Sequence, residues 1–442
     1  SPLQQGLLFH SQLEGAGSYV SQLLLPFTGL DPQRLQNAWR QVLARHGVLR
    51  SRFLLGERPL QLVQAEVELD WQELDWRGVA DFEAQLQAFC STERERGFAL
   101  DQAPLLRLAL IQRGAGDFVL VWTLHHLLLD GWSNGLLFAE VLALYHGDRL
   151  PAPSSQFRDY INWLDGQDAE AEQAFWREQL APLEGATRIA GCLPCRTPGQ
   201  GHARHPLPLD SATEQRIRGF AQRHGLTLNT LVQAAWALLL ARLTGKRSLC
   251  FGATVAGRPT ELAGSEQMLG LFINSLPVAV QLPAEQPLGD WLAALQVQNL
   301  QLREHEHSPL HDIQRWAGSA GEALFDSLLV FENYPLGEAL KQAERGELRL
   351  GLPQSHEFTH YPMTLAVLPG SRLELLLAYD RAHFDADGIA QVEALLRQAL
   401  QLVCGDPAQS LGSLELLGET EQFLLDEWNK PRQDFDPSRL LP

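Results

Sequence analysis

The chain is short of positive charge. Its 35 Lys and Arg face 53 Asp and Glu, leaving a net charge of −18 with His neutral. That deficit argues against a general nucleic-acid binder, which needs a basic face to displace counterions. It argues equally against adsorption to an anionic membrane surface. Long apolar runs are missing too. A membrane helix needs ~18–20 such residues, and the longest candidates here, 118–124 and 234–241, are core-sized. Residues 1–15 lack the cationic start and apolar run of a secretory signal. There is no initiator Met, so the chain reads as a segment of something longer. Cysteine is scarce. The five (Cys90, Cys192, Cys195, Cys250, Cys404) are odd in number and scattered, which suits a reducing cytoplasm. Cys192-Leu-Pro-Cys195 lacks the second pair that a zinc ribbon needs, so these are expected to be loop thiols and not metal ligands.

What is present is ample core. With 442 residues, 45% of them hydrophobic, the chain is long enough for two large halves. Residues 19–27 read as a strand. Asp31-Pro32 then opens a helix as N-cap and first-turn proline. In that helix Leu35, Ala38, Trp39, Val42 and Leu43 share one face, and Gly47 closes it. Strands are expected at 48–54, 105–111 and 118–124, and helices at 133–145 and 159–181. The stretch 182–206, rich in Gly and Pro, reads as a linker, which puts a boundary near residue 180. Beyond it, helices are expected at 210–224, 227–243 and 385–403, and strands at 248–255, 276–280, 327–331, 363–368 and 373–379. After Gly405 the pattern loosens, and 411–442 reads as a linker toward a following domain. There is no low-complexity segment, and the halves echo each other only loosely.

The sharpest feature is Leu124-His125-His126-Leu127-Leu128-Leu129-Asp130-Gly131-Trp132-Ser133. It closes an apolar strand and precedes a helix. Successive side chains of extended chain point to opposite faces, so one histidine can face a cavity while the other packs. Asp130-Gly131 is expected to make a tight turn where backbone or ligand approaches closely. A histidine at a buried strand end with a carboxylate four residues on suits acid–base work near neutral pH. A hydrogen-bonded structural pair and a metal site are the competing readings, the latter weakened because adjacent histidines on a strand diverge.

These residues resemble the HHxxxDG motif of condensation domains of nonribosomal peptide synthetases, members of the chloramphenicol-acetyltransferase-like acyltransferases. The likeness extends along the chain in family order. It takes in the opening Ser1-Pro2-Leu3-Gln4-Gln5-Gly6-Leu7-Leu8-Phe9-His10 and Arg45-His46-Gly47-Val48-Leu49-Arg50-Ser51-Arg52-Phe53. Next come Arg158-Asp159-Tyr160-Ile161-Asn162-Trp163 and Ala256-Gly257-Arg258-Pro259. Gly270-Leu271-Phe272-Ile273-Asn274-Ser275-Leu276-Pro277 and Phe325-Asp326-Ser327-Leu328-Leu329-Val330-Phe331-Glu332-Asn333-Tyr334 complete the set. The opening motif, the Asp-Gly-Trp-Ser run and the last two motifs resemble the branch that takes a D-configured donor and an L-configured acceptor. Phe157 and Gly47 depart from the residues common in the family.

The resemblance implies an α/β fold of two chloramphenicol-acetyltransferase-like halves set in a V as a pseudo-dimer, residues 1–180 and 181–410. The active site would lie at their junction, and the domain would be monomeric. It implies peptide-bond formation between two thioesters held on upstream and downstream peptidyl carrier proteins, next to an adenylation domain. No metal or cofactor of the domain's own is expected, since the phosphopantetheine arms arrive on the carriers. His126 is then a base or a positioning group. Asp130 is expected to pair with a buried arginine, with Arg50 or Arg52 as candidates. His125 would fix the strand end, and Gly131 would keep a channel open. Trp132, Ser133, Asn274 and Ser275 are candidates for lining the substrate path, and Arg258 joins Arg50 and Arg52 as structural support. An epimerisation domain, or a docking domain of the same fold, are the alternatives.

Overall fold

A computed structural model describes residues 1–14, 19–56, 59–319, 322–332 and 345–415. Asn333, Tyr334 and nearly all of the 411–442 segment lie outside the described residues. In the first half the elements are α1 (Pro2–Glu14), β1 (Val20–Thr28), α2 (Pro32–Arg45), β2 (Ser51–Leu54), β3 (Leu60–Val63), β4 (Trp71–Asp75), α3 (Phe82–Arg96), β5 (Leu106–Gly114), β6 (Asp117–His125), α4 (Gly131–Tyr145) and α5 (Phe157–Leu164). Then come α6 (Ala169–Leu180), β7 (His202–Leu207), α7 (Ser211–His224), α8 (Leu228–Thr244), β8 (Ser248–Val255), β9 (Asn274–Gln281), α9 (Leu288–Glu304) and α10 (Leu310–Trp316). The described chain ends with β10 (Ser327–Phe331), β11 (Arg349–Leu350), β12 (Gln354–His356), β13 (Met363–Pro369), β14 (Leu373–Asp380) and α11 (Ala386–Leu402).

Two six-stranded sheets organise these elements. The first has the order β11-β1-β6-β5-β4, with β12 also on β1. The second runs β7-β14-β13-β10-β8-β9. In the first sheet β6 is buried on both faces. Phe118, Leu120, Trp122 and Leu124 enter the core that α2 and α4 cover, where Trp122 meets Trp39 edge-on at 5.0 Å. Val119 and Val121 pack on the other face with Leu86 and Cys90 of α3. In the second half α8 is apolar on nearly every side and buried at the centre of a larger core.

Local signals placed several helix starts. Asp31, Thr227 and Asp385 each accept a hydrogen bond from a backbone N–H three residues on, as N-caps do. Other expectations shift. The 48–54 strand divides into a 3₁₀ turn, Gly47–Arg50, and β2. The 159–181 helix is broken between α5 and α6 around Gly166. The close turn falls at 126–128, and Asp130-Gly131 forms the cap and first residue of α4.

The halves are not separate in sequence. Trp176 and Leu180 of α6 bury in the second core, so that core draws on the chain from a little ahead of residue 180. Leu269, Leu271 and Leu348 cross back into the first core. β11 and β12 close the free edge of β1, pairing Phe27 with Leu350 and Gln22 with His356.

A buried polar cluster ties α6 to the loop after α9. Glu172 accepts from His305 Nδ1 at 2.7 Å and from the Ser308 hydroxyl, and His307 Nε2 stands 3.4 Å away. His305 also stacks on Phe175. Burial alone would raise the Glu172 carboxyl, but the hydrogen bonds from His305, His307 and Ser308 outweigh it and hold the group at about 2. A carboxylate depressed in the folded state adds stability above its unfolded value of ~4.3, and that stability is lost as pH falls toward the folded value. Glu172→Gln should therefore lower unfolding free energy by about 2 kcal/mol at pH 7. In urea titrations the gap from wild type should narrow steadily between pH 5 and pH 3.

Candidate active site

The site is built on the end of β6 and the start of α4. β6 runs beside β1 in a register that pairs Val20 with His125, and the main-chain N–H of His126 then donates to the Tyr19 carbonyl at 2.9 Å. This fixes both histidines to the sheet. His125 is 1% exposed and lies edge-on to Phe98. Its Nδ1 accepts the Leu127 N–H at 3.2 Å. Burial, and then the neighbouring His126, pull its pKa down to about 3. His125 is thus a neutral ring that accepts from the turn.

His126 differs. Its side chain is 18% exposed. Its Nδ1 lies 3.0 Å from the Leu129 carbonyl oxygen. A carbonyl only accepts, so Nδ1 carries a proton, and in the neutral ring the lone pair falls at Nε2. That is the tautomer an acid–base group needs. The alternation expected of the pair is what the strand delivers.

Asp130 is fully buried. Its Oδ1 accepts the Ser133 N–H at 2.7 Å and caps α4. Its Oδ2 accepts the Phe272 N–H at 2.9 Å and the Ile273 N–H at 3.3 Å. Oδ1 also meets Arg258 Nη2 at 3.3 Å. The arginine partner is therefore Arg258, not Arg50 or Arg52. Arg50 spends its guanidinium on the carbonyls of Leu43, Ala44, Gln64 and Ala65. Arg52 reaches the Asp101 carbonyl at 3.3 Å. Both act locally, closing the end of α2 and bracing β2.

Arg258 completes the clamp. It donates to Ser133 Oγ at 2.8 Å and to the carbonyls of Ser265 and Met268, and it lies 4.1 Å over the Phe272 ring. Ser133 Oγ in turn donates to the Gly270 carbonyl at 2.8 Å. Gly270 has no room for a side chain, since a Cβ there would meet the Phe157 ring at 2.0 Å. Phe157, a departure from the usual family residue, is thus packed against this crossing segment.

Several expected substrate-lining residues are committed to structure. Ser133 is buried within the clamp. Asn274 is 2% exposed, and its amide donates to the carbonyls of Glu306 and Ser308. Ser275 follows it on β9, also buried. Trp132 donates through its indole N–H to the Glu266 carbonyl at 3.0 Å and keeps partial exposure. Gly131 opens α4 at the foot of the site. A cleft of about 530 Å³ nearby is lined by Gln4, His46, Phe53, Gln61, Phe157 and Leu269, but not by His126.

Sequence reading missed Glu357. It follows β12, and its Oε1 stands 3.5 Å from His126 Nε2 and 2.9 Å from the Ser21 hydroxyl that donates to it. The signal available was the dense run His356-Glu357-Phe358-Thr359-His360 just ahead of a strand. Among the described residues no group of three or more His, Cys, Asp or Glu is placed to hold a metal ion, and no single helix is long and apolar enough to cross a membrane.

The clamp makes a clear energetic prediction. Asp130→Ala strands a buried guanidinium and should cost ~3–5 kcal/mol in urea unfolding. Arg258→Ala should be comparably severe. The double variant should lose less than the sum, with a coupling of ~1 kcal/mol or more in the double-mutant cycle.

The Condensation domain family model matches residues 1–425. The chain is 41% identical over 455 aligned residues to a linear gramicidin synthase of Brevibacillus parabrevis, covering all of this chain and 9% of that protein. It is 32% identical to surfactin synthase subunit 3 of Bacillus subtilis (strain 168), covering 35% of that protein. The chain thus spans a small part of these relatives. Among solved structures it resembles holo-AB3403, a four-domain nonribosomal peptide synthetase bound to AMP and glycine. That match has a TM-score of 0.80 at 18% identity over 96% of this chain and 34% of that one. It also resembles the X-domain from teicoplanin biosynthesis, with a TM-score of 0.80 at 24% identity, covering 94% of this chain and 97% of that one. These likenesses confirm the mixed α/β, acetyltransferase-like fold. With the His-His and Asp-Gly constellation in place, the chain belongs to the condensation-domain family of nonribosomal peptide synthetases.

Proposed function

We propose that this domain joins two carrier-bound substrates by aminolysis. The α-amine of an L-aminoacyl thioester on a downstream peptidyl carrier protein attacks an aminoacyl or peptidyl thioester on an upstream one. The reaction would take place in the cytoplasm beside an adenylation domain. The donor is D-configured at its reacting residue, a reading supported by the opening motif and the Asp-Gly-Trp-Ser run. The domain brings no cofactor of its own, the phosphopantetheine arms coming with the carriers. The two halves, with limits near residues 180 and 410, work as one unit.

The observation that carries this reading is the oriented His126 ring, with Nδ1 held by the Leu129 carbonyl at 3.0 Å and Nε2 on its partly exposed edge beside Glu357. A thioester is already activated, and an α-amine with a pKa of ~8 is partly neutral at pH 7. Holding both ends in line supplies ~7–11 kcal/mol of the barrier. As the C–N bond forms, Nε2 takes the amine proton. As the C–S bond breaks, the departing thiolate takes that proton back. The net result is one amide and one thiol. Asp130 has no spare acceptor for a shuttled proton, which supports a holding role for it.

A second reading, a docking domain of the same fold, is favoured by one structural relative, an X-domain solved in complex with OxyB, with a TM-score of 0.78 at 23% identity. An assay separates the two. Donor and acceptor are loaded on separate carriers, and the dipeptidyl thioester is followed by intact mass. Wild-type protein should form it, and His126→Ala should lose ~10²–10⁴-fold if the ring acts as a base. A loss of only ~10-fold would leave His126 a positioning group. Donor epimerised without product would point to an epimerisation domain, and no turnover at all to docking. Equal turnover of D- and L-donors would overturn the donor assignment.

A further inference from the structure

Two acceptors face each other beside the reacting position. In the neutral ring His126 Nε2 carries the lone pair, because Nδ1 holds the proton against the Leu129 carbonyl. Glu357 Oε1 lies 3.5 Å from it. With the ring neutral the two acceptors repel, and a positively charged N–H between them, whether a ring proton or an ammonium, makes the contact favourable. The sheet nonetheless holds Glu357 there by three restraints. Gln22 of β1 pairs with His356. The Ser21 hydroxyl donates to the carboxylate at 2.9 Å. Arg204 of β7 donates to the Glu357 carbonyl at 2.8 Å while its guanidinium lies 5.1 Å over Phe358.

We propose that Glu357 and His126 Nε2 form a two-acceptor seat for the α-ammonium of the acceptor substrate, so that this site selects a charged amine over a neutral nucleophile. This rests on the condensation reading and assigns to it a substrate-contacting residue outside the His-His motif. The ammonium sheds one proton before it attacks. The Glu357 side chain, 41% exposed, gives that proton a way to solvent. Nε2 is left free to take the second proton as the C–N bond forms, and the departing thiolate takes it on. Atoms and charge balance as ammonium plus thioester giving amide, thiol and one released proton.

Other charged and titratable groups surround the seat. Arg204 and His202 come from β7, Glu332 from the end of β10, Tyr19 from just ahead of β1, and His356 and His360 from the segment that carries Glu357. Burial, and then Glu357 itself, push the Glu332 carboxyl up to about 7, with Arg204 opposing. Glu332 thus gains a proton more readily than an ordinary carboxylate, and Arg204 is held on the main-chain side of Glu357.

The test compares Glu357→Gln with wild type in single-turnover condensation on loaded carriers, across pH. It uses an aminoacyl acceptor and the matching 2-hydroxyacyl acceptor, whose nucleophile never carries charge. Gln keeps the shape and the Ser21 bond and removes the charge. The expected result is a loss of about 10- to 100-fold with the amine acceptor, and a loss several-fold smaller with the hydroxy acceptor. The acid limb of the amine profile should move to lower pH, because the bound ammonium loses its carboxylate. Equal losses with both acceptors, or an unmoved acid limb, overturn the seat. Wild-type protein that forms no dipeptidyl thioester overturns the condensation reading instead. Thermal melting checks the fold of the variant. If Glu357→Gln melts early, Ser21→Ala, which frees the carboxylate without removing it, carries the same comparison and should shift in the same direction by less. An amine-to-hydroxy ratio in Ser21→Ala equal to that of wild type would then overturn the proposal.

Discussion

The site depends on one buried ion pair. Asp130 leaves water completely, and every acceptor position it has is filled by an N–H group of its own helix, by N–H groups of the 272–273 backbone, or by Arg258. In so low a dielectric neither charge is tolerable alone. The pair therefore forces the loop after β6 and the segment 258–273 into one arrangement. Leu129, whose carbonyl orients His126, is the residue just before Asp130. The angle of the reacting ring is thus set by an arginine 128 residues beyond Asp130 in the chain.

The two histidines show how much a single step along a strand changes. They share a sheet and differ by one residue. His125 is sealed against Phe98 and stays neutral far below physiological pH. His126 uses its Nδ1 the opposite way, donating to the Leu129 carbonyl, and keeps a partly open edge. The same side chain is sealed in one case and partly open in the other, through which face of the sheet it leaves.

Most of what the sequence displayed openly was local. Asp31, Thr227 and Asp385 are helix caps whose partners lie three residues on, whereas Asp130, read as part of a turn, also proved to be a cap. The alternation along β6 is also a near-neighbour pattern. Helices whose apolar stripe is thin escaped notice. α3 buries only Leu86 and Cys90, and α9 leaves Val297 and Leu300 in solvent. Long-range pairings were the least legible. Arg50 and Arg52 stand in a motif and offered themselves for Asp130, yet both turn to main-chain carbonyls instead. Glu357 lies 231 residues from His126, and only the pairing of β12 with β1 brings them together. Family resemblance singled out the His-His and Asp-Gly residues, but it did not say which contacts hold them.

The closure of β1 by β11 and β12 has a consequence for how the chain is made. One side of β1 pairs with β6, within the first third of the sequence; the other side waits for residues 349–356. During synthesis the first sheet is therefore built long before its edge is covered. An open edge is a template for pairing with another chain, and domains made in order expose such edges for as long as translation takes. Nascent first halves on neighbouring ribosomes would meet with that edge bare. The late return of the chain thus guards the protein's birth as well as shaping its mature site.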